Sequence, residues 1–146
     1  MAEQTQSFEN HAQMVPAYHY VLGLLLVLTL VGSIVNLGLS WGDHERLYNA
    51  SLIFALSVIM FLTALFARVF PLKAQDRAIR AEENLRHYAL TGKLLDPRLT
   101  VLQIVGLRFA SDAEFPDLAR RAAEANMPPK EIKRAIQNWR ADHYRV

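Results

Sequence analysis

The chain has 146 residues, a formal charge of +2 and 52% apolar residues, yet its mean hydropathy is close to zero, so the apolar residues are gathered rather than spread. No cysteine is present, which excludes disulfides, thiolate metal sites, iron–sulfur clusters and cysteine nucleophiles from this chain. The length allows one ordinary domain, or a smaller domain with a membrane part.

Residues 16–42 and 50–67 contain no Asp, Glu, Lys or Arg. A helix rises about 1.5 Å per residue, so roughly 20 apolar residues cross a hydrocarbon core about 30 Å thick. Both blocks predict spans, the second with little to spare. The region ahead of the first carries Glu3 and Glu9 without a basic residue, and no A-x-A-like cleavage site follows. The block therefore reads as a retained span rather than a secretory signal.

Residues 1–15 form a polar tail in which Phe8, His11, Ala12 and Val15 follow helical spacing, with Ser7 placed to cap a short interfacial helix. Pro16 suits the first turn of the next helix. That span covers about 17–39, with Tyr18, His19 and Tyr20 at one end and Trp41 at the other, the positions of aromatic rings at two headgroup layers. The connection "SWGDHERLYN", residues 40–49, is short enough to force an antiparallel helical hairpin.

From Arg68 onward the chain holds fifteen basic residues against ten acidic ones, whereas the loop holds Arg46 alone against Asp43 and Glu45. The positive-inside rule then makes both termini cytoplasmic and turns the loop outward. Pro71 should kink the helix or start a new one. The helix over 71–89 offers Asp76 with Arg80 and Glu82 with Arg86 as i, i+4 pairs, and Thr91 with Gly92 ends it. "LDPR" is a turn. Thr100 with Gln103 and Ser111 with Glu114 are capping boxes for two short helices, and Asn126 is a left-handed stop. Pro128 and Pro129 open a last helix whose apolar stripe is Ile132, Ala135, Ile136 and Trp139. No strand-like alternation is visible. The expected fold is all-α: a tail (1–15), a two-helix transmembrane hairpin (16–70) and a small cytoplasmic helical unit at the membrane surface (71–146).

The segments "FARVFPLKAQDRAIRAEENLR", "LRFASDAEF" and "IKRAIQNWRADHYRV", with "NHAQMVP" before the first span, resemble a family of small bacterial two-span membrane proteins catalogued as a domain of unknown function. The F-A-R, Q-D-R-x-I-R, R-F-A-S-D and W-R-x-D segments carry the likeness across nearly the whole chain. The resemblance implies two-span topology, and with it a bacterial inner membrane, but no activity and no catalytic residue.

The candidate sites are those of contact. Lys73, Arg77 and Arg80, with Arg68 nearer the membrane, read either as attraction to anionic headgroups or as a plain topology signal. Thr29, Ser33 and Asn36 lie near one helical face and read as a packing seam rather than an ion path, which would want an intramembrane carboxylate or base. His19 stands where an axial ligand to haem or chlorophyll magnesium would, but the second span faces it with no His and only Met60. The five histidines read as interfacial and surface residues, so no cofactor or metal is expected.

Ser111 with Asp112 reads as a helix cap, and Asp142 with His143 as a solvated tail, leaving no catalytic residue. Prolines at "NMPP" argue against a DNA-reading helix-turn-helix, and no small-molecule substrate is expected. Trp139, Arg140, Tyr144 and Arg145 form an aromatic-basic end suited to a protein partner. The sequence thus predicts a non-enzymatic accessory subunit packed beside larger integral membrane proteins of an energy-converting assembly, respiratory or photosynthetic. The competing readings are a free-standing module binding anionic lipid, and a small oligomeric transporter or channel.

Overall fold

The computed structural model describes residues 6–10 and 14–142. Among these the fold is all-helical, with five α-helices and no strand beyond one isolated bridge. The chain divides into two units, Met14–Phe70 and Met1–Gln13 with Pro71–Val146.

In the first unit a π-helical turn, Ala17–Leu22, runs into α1, Gly23–Leu39. The Tyr18 hydroxyl donates to the Ala64 carbonyl. At the end of α1 the amide and hydroxyl of Ser40 both return to the Asn36 carbonyl, at 3.1 and 2.8 Å. Gly42 then takes φ +99°, a left-handed value that disfavours any side chain. Asp43 opens α2, His44–Thr91, by accepting from the Arg46 amide at 3.2 Å.

α2 runs on through Pro71. Of the two expected outcomes at Pro71, a kink or a restart, the restart does not occur. A proline inside a helix costs about 3 kcal/mol and removes one bond, here to the Ala67 carbonyl, but it leaves the neighbouring turns able to continue. Two helices, Ala17–Leu39 and His44–Thr91, are long and apolar enough to cross a membrane. Their large side chains point outward: Leu25, Leu28, Ile34, Leu56 and Ile59 are all more than half exposed. The buried positions are small ones, Ser33, Ser40, Ala50 and Ser57.

The second unit follows the opposite rule. Phe109, Phe115, Ile104, Leu107, Leu118 and Ile132 are fully buried, and Trp139, Ala135 and Met127 pack against them. α2 ends at Thr91, with Gly92 at φ +73°. α3, Val101–Leu107, carries the expected capping box of Thr100 and Gln103. The Gln103 amide also donates to the Met127 carbonyl at 2.9 Å, tying α3 to the turn after α4, Phe115–Glu124. Asn126 takes φ +47°, and the Met127 amide returns to Ala122 at 3.0 Å, so this helix stops where the sequence indicates.

α5, Pro129–Ala135, crosses α3 at Gly106, where an added Cβ would lie 3.3 Å from the Pro129 carbonyl oxygen. The second box is only half formed. Glu114 accepts from the Ser111 amide at 3.3 Å, but the buried Ser111 hydroxyl has no partner among the described residues.

Trp139 is not on the last helix. Ile136 leaves α5 with extended backbone, and residues 138–140 return as an antiparallel bridge to 109–111. The Arg140 amide donates to Phe109 at 2.7 Å and the Ser111 amide to Asn138 at 3.1 Å. Glu114 holds the approach, accepting from the amides of Gln137 and Asn138 at 3.2 and 3.1 Å. The helical stripe therefore keeps Ile132 and Ile136 and loses Trp139, whose position is set by long-range pairing. The expected tail helix falls partly on residues 11–13, outside the described residues; 8–10 form a turn.

Candidate functional site

The densest gathering of charge lies where α2 meets this bridge. A cleft of about 360 Å³ is lined by Glu82, Glu83, Arg86, Asp112 and Arg140. Arg86 is its centre. One nitrogen donates to Glu83 at 2.9 Å, and two contact Asp112 at 2.7 and 2.6 Å. A further bond reaches the Ala110 carbonyl at 2.7 Å. The guanidinium also lies 4.4 Å from the centroid of Phe115.

Arg86 and Glu83 are almost wholly enclosed, with side-chain exposures of 11% and 8%. Burial raises the Glu83 pKa above its ordinary value, a push opposed by the hydrogen bond and charge of Arg86 and, more weakly, by Arg140. The Arg140 guanidinium stands 3.9 Å from Glu83 and is about half exposed. The expected pair of Arg86 with Glu82 does not form: α2's own i, i+3 neighbour Glu83 and the distant Asp112 take its place. Chemically the arrangement is a clamp, because Arg86 joins α2 to the 108–112 turn through bonds it already makes, and Arg140 approaches the same cluster through Glu83.

A second tie lies beside it. The Arg108 guanidinium sits 3.2 Å from Asp142 and 4.7 Å from the Phe109 centroid, and Trp139 packs on Phe109 at 5.1 Å. Gln6 exchanges two hydrogen bonds with the Asp142 backbone, at 3.0 and 2.8 Å. The R-F-A-S-D and W-R-x-D segments singled out in the sequence thus meet edge to edge. Of the expected partner-contact residues, Trp139 is half-buried on its own core and Arg140 rims the cleft; Tyr144 and Arg145 lie outside the described residues.

Among the expected headgroup residues, Lys73, Arg77 and Arg80 are exposed, while Arg68 is half-buried and belongs to the other unit. The expected pair of Asp76 with Arg80 is absent among the described residues. In the apolar unit, Thr29 donates to Leu25 at 2.8 Å and Ser33 to Leu30 at 2.7 Å, each within its own helix. Asn36 is exposed. Thr29 lines an apolar cleft of about 300 Å³ with Leu22, Leu25, Ile53, Leu56 and Met60. The His19 Nδ1 lies 2.9 Å from the Val15 carbonyl. Among the described residues no three His, Asp or Glu gather as a metal site. Ser111 and Asp112 are turned to different tasks, the one with its hydroxyl enclosed and the other paired with Arg86, and His143 lies outside the described residues.

The molecule is an all-helical protein with two helices fit to cross a membrane and a charge-clamped C-terminal unit. The chain belongs to the family described as "Family of unknown function (DUF6526)", whose model matches residues 1–146. No curated protein and no solved structure matches it.

Proposed function

We propose that this protein is a non-enzymatic accessory subunit of a bacterial inner membrane, whose two apolar helices form a transmembrane hairpin and whose C-terminal unit lies at the cytoplasmic surface. One observation carries the reading: large apolar side chains are mostly outside in 14–70, whereas 95–136 close a core of them around Phe109, Phe115, Leu118 and Ile132. An apolar exterior is stable against lipid tails or other spans, and small buried residues suit close helix approach. The clamp supports a structural role, since Arg86 is committed to holding the 108–112 turn against α2. The hosts would be larger integral membrane proteins, with energy-converting assemblies as the leading class. Native electrophoresis of a mild detergent extract tests this. Co-migration with large partners is expected, and a lone small species would contradict it.

A second reading is favoured by a separate observation. Lys73, Arg77 and Arg80 are exposed and make no ion pair among the described residues, as a surface facing anionic headgroups would require. Salt-sensitive binding of the full chain to anionic vesicles, lost when all three are reversed in charge, would support a lipid-binding module.

A further inference from the structure

α2 presents one face to the core of the second unit through Ile79, Glu83, Arg86 and His87, all buried or half-buried. Its opposite face carries Ala74, Ala78, Ala81, Leu85 and Tyr88, and all five are exposed. Leu85 is 68% and Tyr88 54% exposed, one helical turn apart. The spacing of these five alternates four and three residues, the a/d repeat of a coiled-coil seam, with Ala78 and Leu85 at a and Ala74, Ala81 and Tyr88 at d.

The flanking charges name the occupant. In this register Arg77 is at g and Glu82 at the following e, and neither has an ion-pair partner in its own chain among the described residues. A g residue of one strand pairs with the next e residue of its neighbour when two such helices lie parallel. Arg77 of each copy would thereby meet Glu82 of the other, twice by symmetry, as an isologous two-fold contact requires. An unrelated partner would have no reason to match this acid and base at a five-residue offset.

We propose that the outward face of α2 from Ala74 to Tyr88 is the seam of a parallel homodimer, occupied by the same face of a second copy of this chain. The proposal goes beyond the reading above and does not depend on it, because the face is exposed whether or not residues 17–67 lie in lipid. Alanine at three of the five seam positions permits close backbone approach, and Leu85 with Tyr88 supplies the apolar contact at the distal end.

The chain has no cysteine, so single substitutions report directly. In the full chain in detergent, Ala81→Cys should oxidise to a covalent dimer, since facing d positions fall within the roughly 4.4–6.8 Å Cα separation that disulfides require. Ala74→Cys should do the same. Ala113→Cys, exposed on a turn away from the seam, should stay monomeric. Adding Arg77→Glu to Ala81→Cys should abolish the crosslink, and adding Glu82→Arg as well should restore it. Failure of both seam cysteines to crosslink, yield equal to that of Ala113→Cys, or no recovery in the charge-swapped chain would each overturn the proposal.

Discussion

Residues 14–70 and 71–142 both carry large apolar residues, but they bury different kinds. The first unit hides Ser33, Ala50 and Ser57 and shows Leu28, Ile34 and Leu56; the second hides Phe109, Phe115 and Ile132. In water only the second arrangement is stable, because burying apolar area is what opposes chain entropy. In lipid, apolar burial no longer drives helices together, and close contact between small residues takes over. The contrast lies between residues 14–70 and the core closed by 95–136; α2 stays helical through Phe70 and Pro71, buries Ile79 and still exposes Leu85 and Tyr88.

The largest expected effect on the C-terminal unit is at Arg86. Removing it in Arg86→Met leaves Glu83 enclosed with only the half-exposed Arg140 as a counter-charge, a change expected to cost about 3–5 kcal/mol. Chemical denaturation should show the loss in the C-terminal unit alone. Phe109→Ala should cost a similar ~3–5 kcal/mol by opening the core. In the apolar unit the same kind of change has another readout. Leu28→Asp should leave the C-terminal unit folded but reduce membrane insertion, by about 3 kcal/mol for a carboxylate at the middle of a span.

Glu83 sharpens the picture through pH. Its raised folded-state pKa means that its favourable contribution is complete below the unfolded value of 4.5 and is lost as pH rises through the folded value. The stability of the native chain relative to Glu83→Gln should therefore fall as pH rises across that window, as denaturation at several pH values would reveal. At neutral pH Glu83→Gln should be far milder than Arg86→Met. The smallest expected effect is at the cap of α3, where Thr100→Ala removes half of a capping box and should cost about 1 kcal/mol in the same assay.

What was legible in the sequence was local. Thr100 with Gln103, Asn126, Pro128 with Pro129, and Gly92 each act within a turn, and each sets a helix end where the sequence indicates it. What was not legible was remote. Arg86 has Glu82 four residues before it, yet its shortest contact is Asp112, which only the folded chain brings near. Trp139 has helical spacing from Ile132, but Glu114 and the edge at 109–111 draw it into an extended return. Asn36 shares a face with Ser33 by spacing, and only the helix pairing decides which of them is covered.

On the proposed reading, the exposed apolar face of 17–67 meets lipid while the unit after Pro71 meets water. Single cysteines at Leu56, 59% exposed in the structure, and at Lys130, also exposed, test it directly with a charged maleimide applied to inside-out membrane vesicles. The account predicts rapid labelling of Lys130→Cys and none of Leu56→Cys until detergent is added. Equal labelling of the two in intact vesicles would show that the apolar face meets water and would contradict the account.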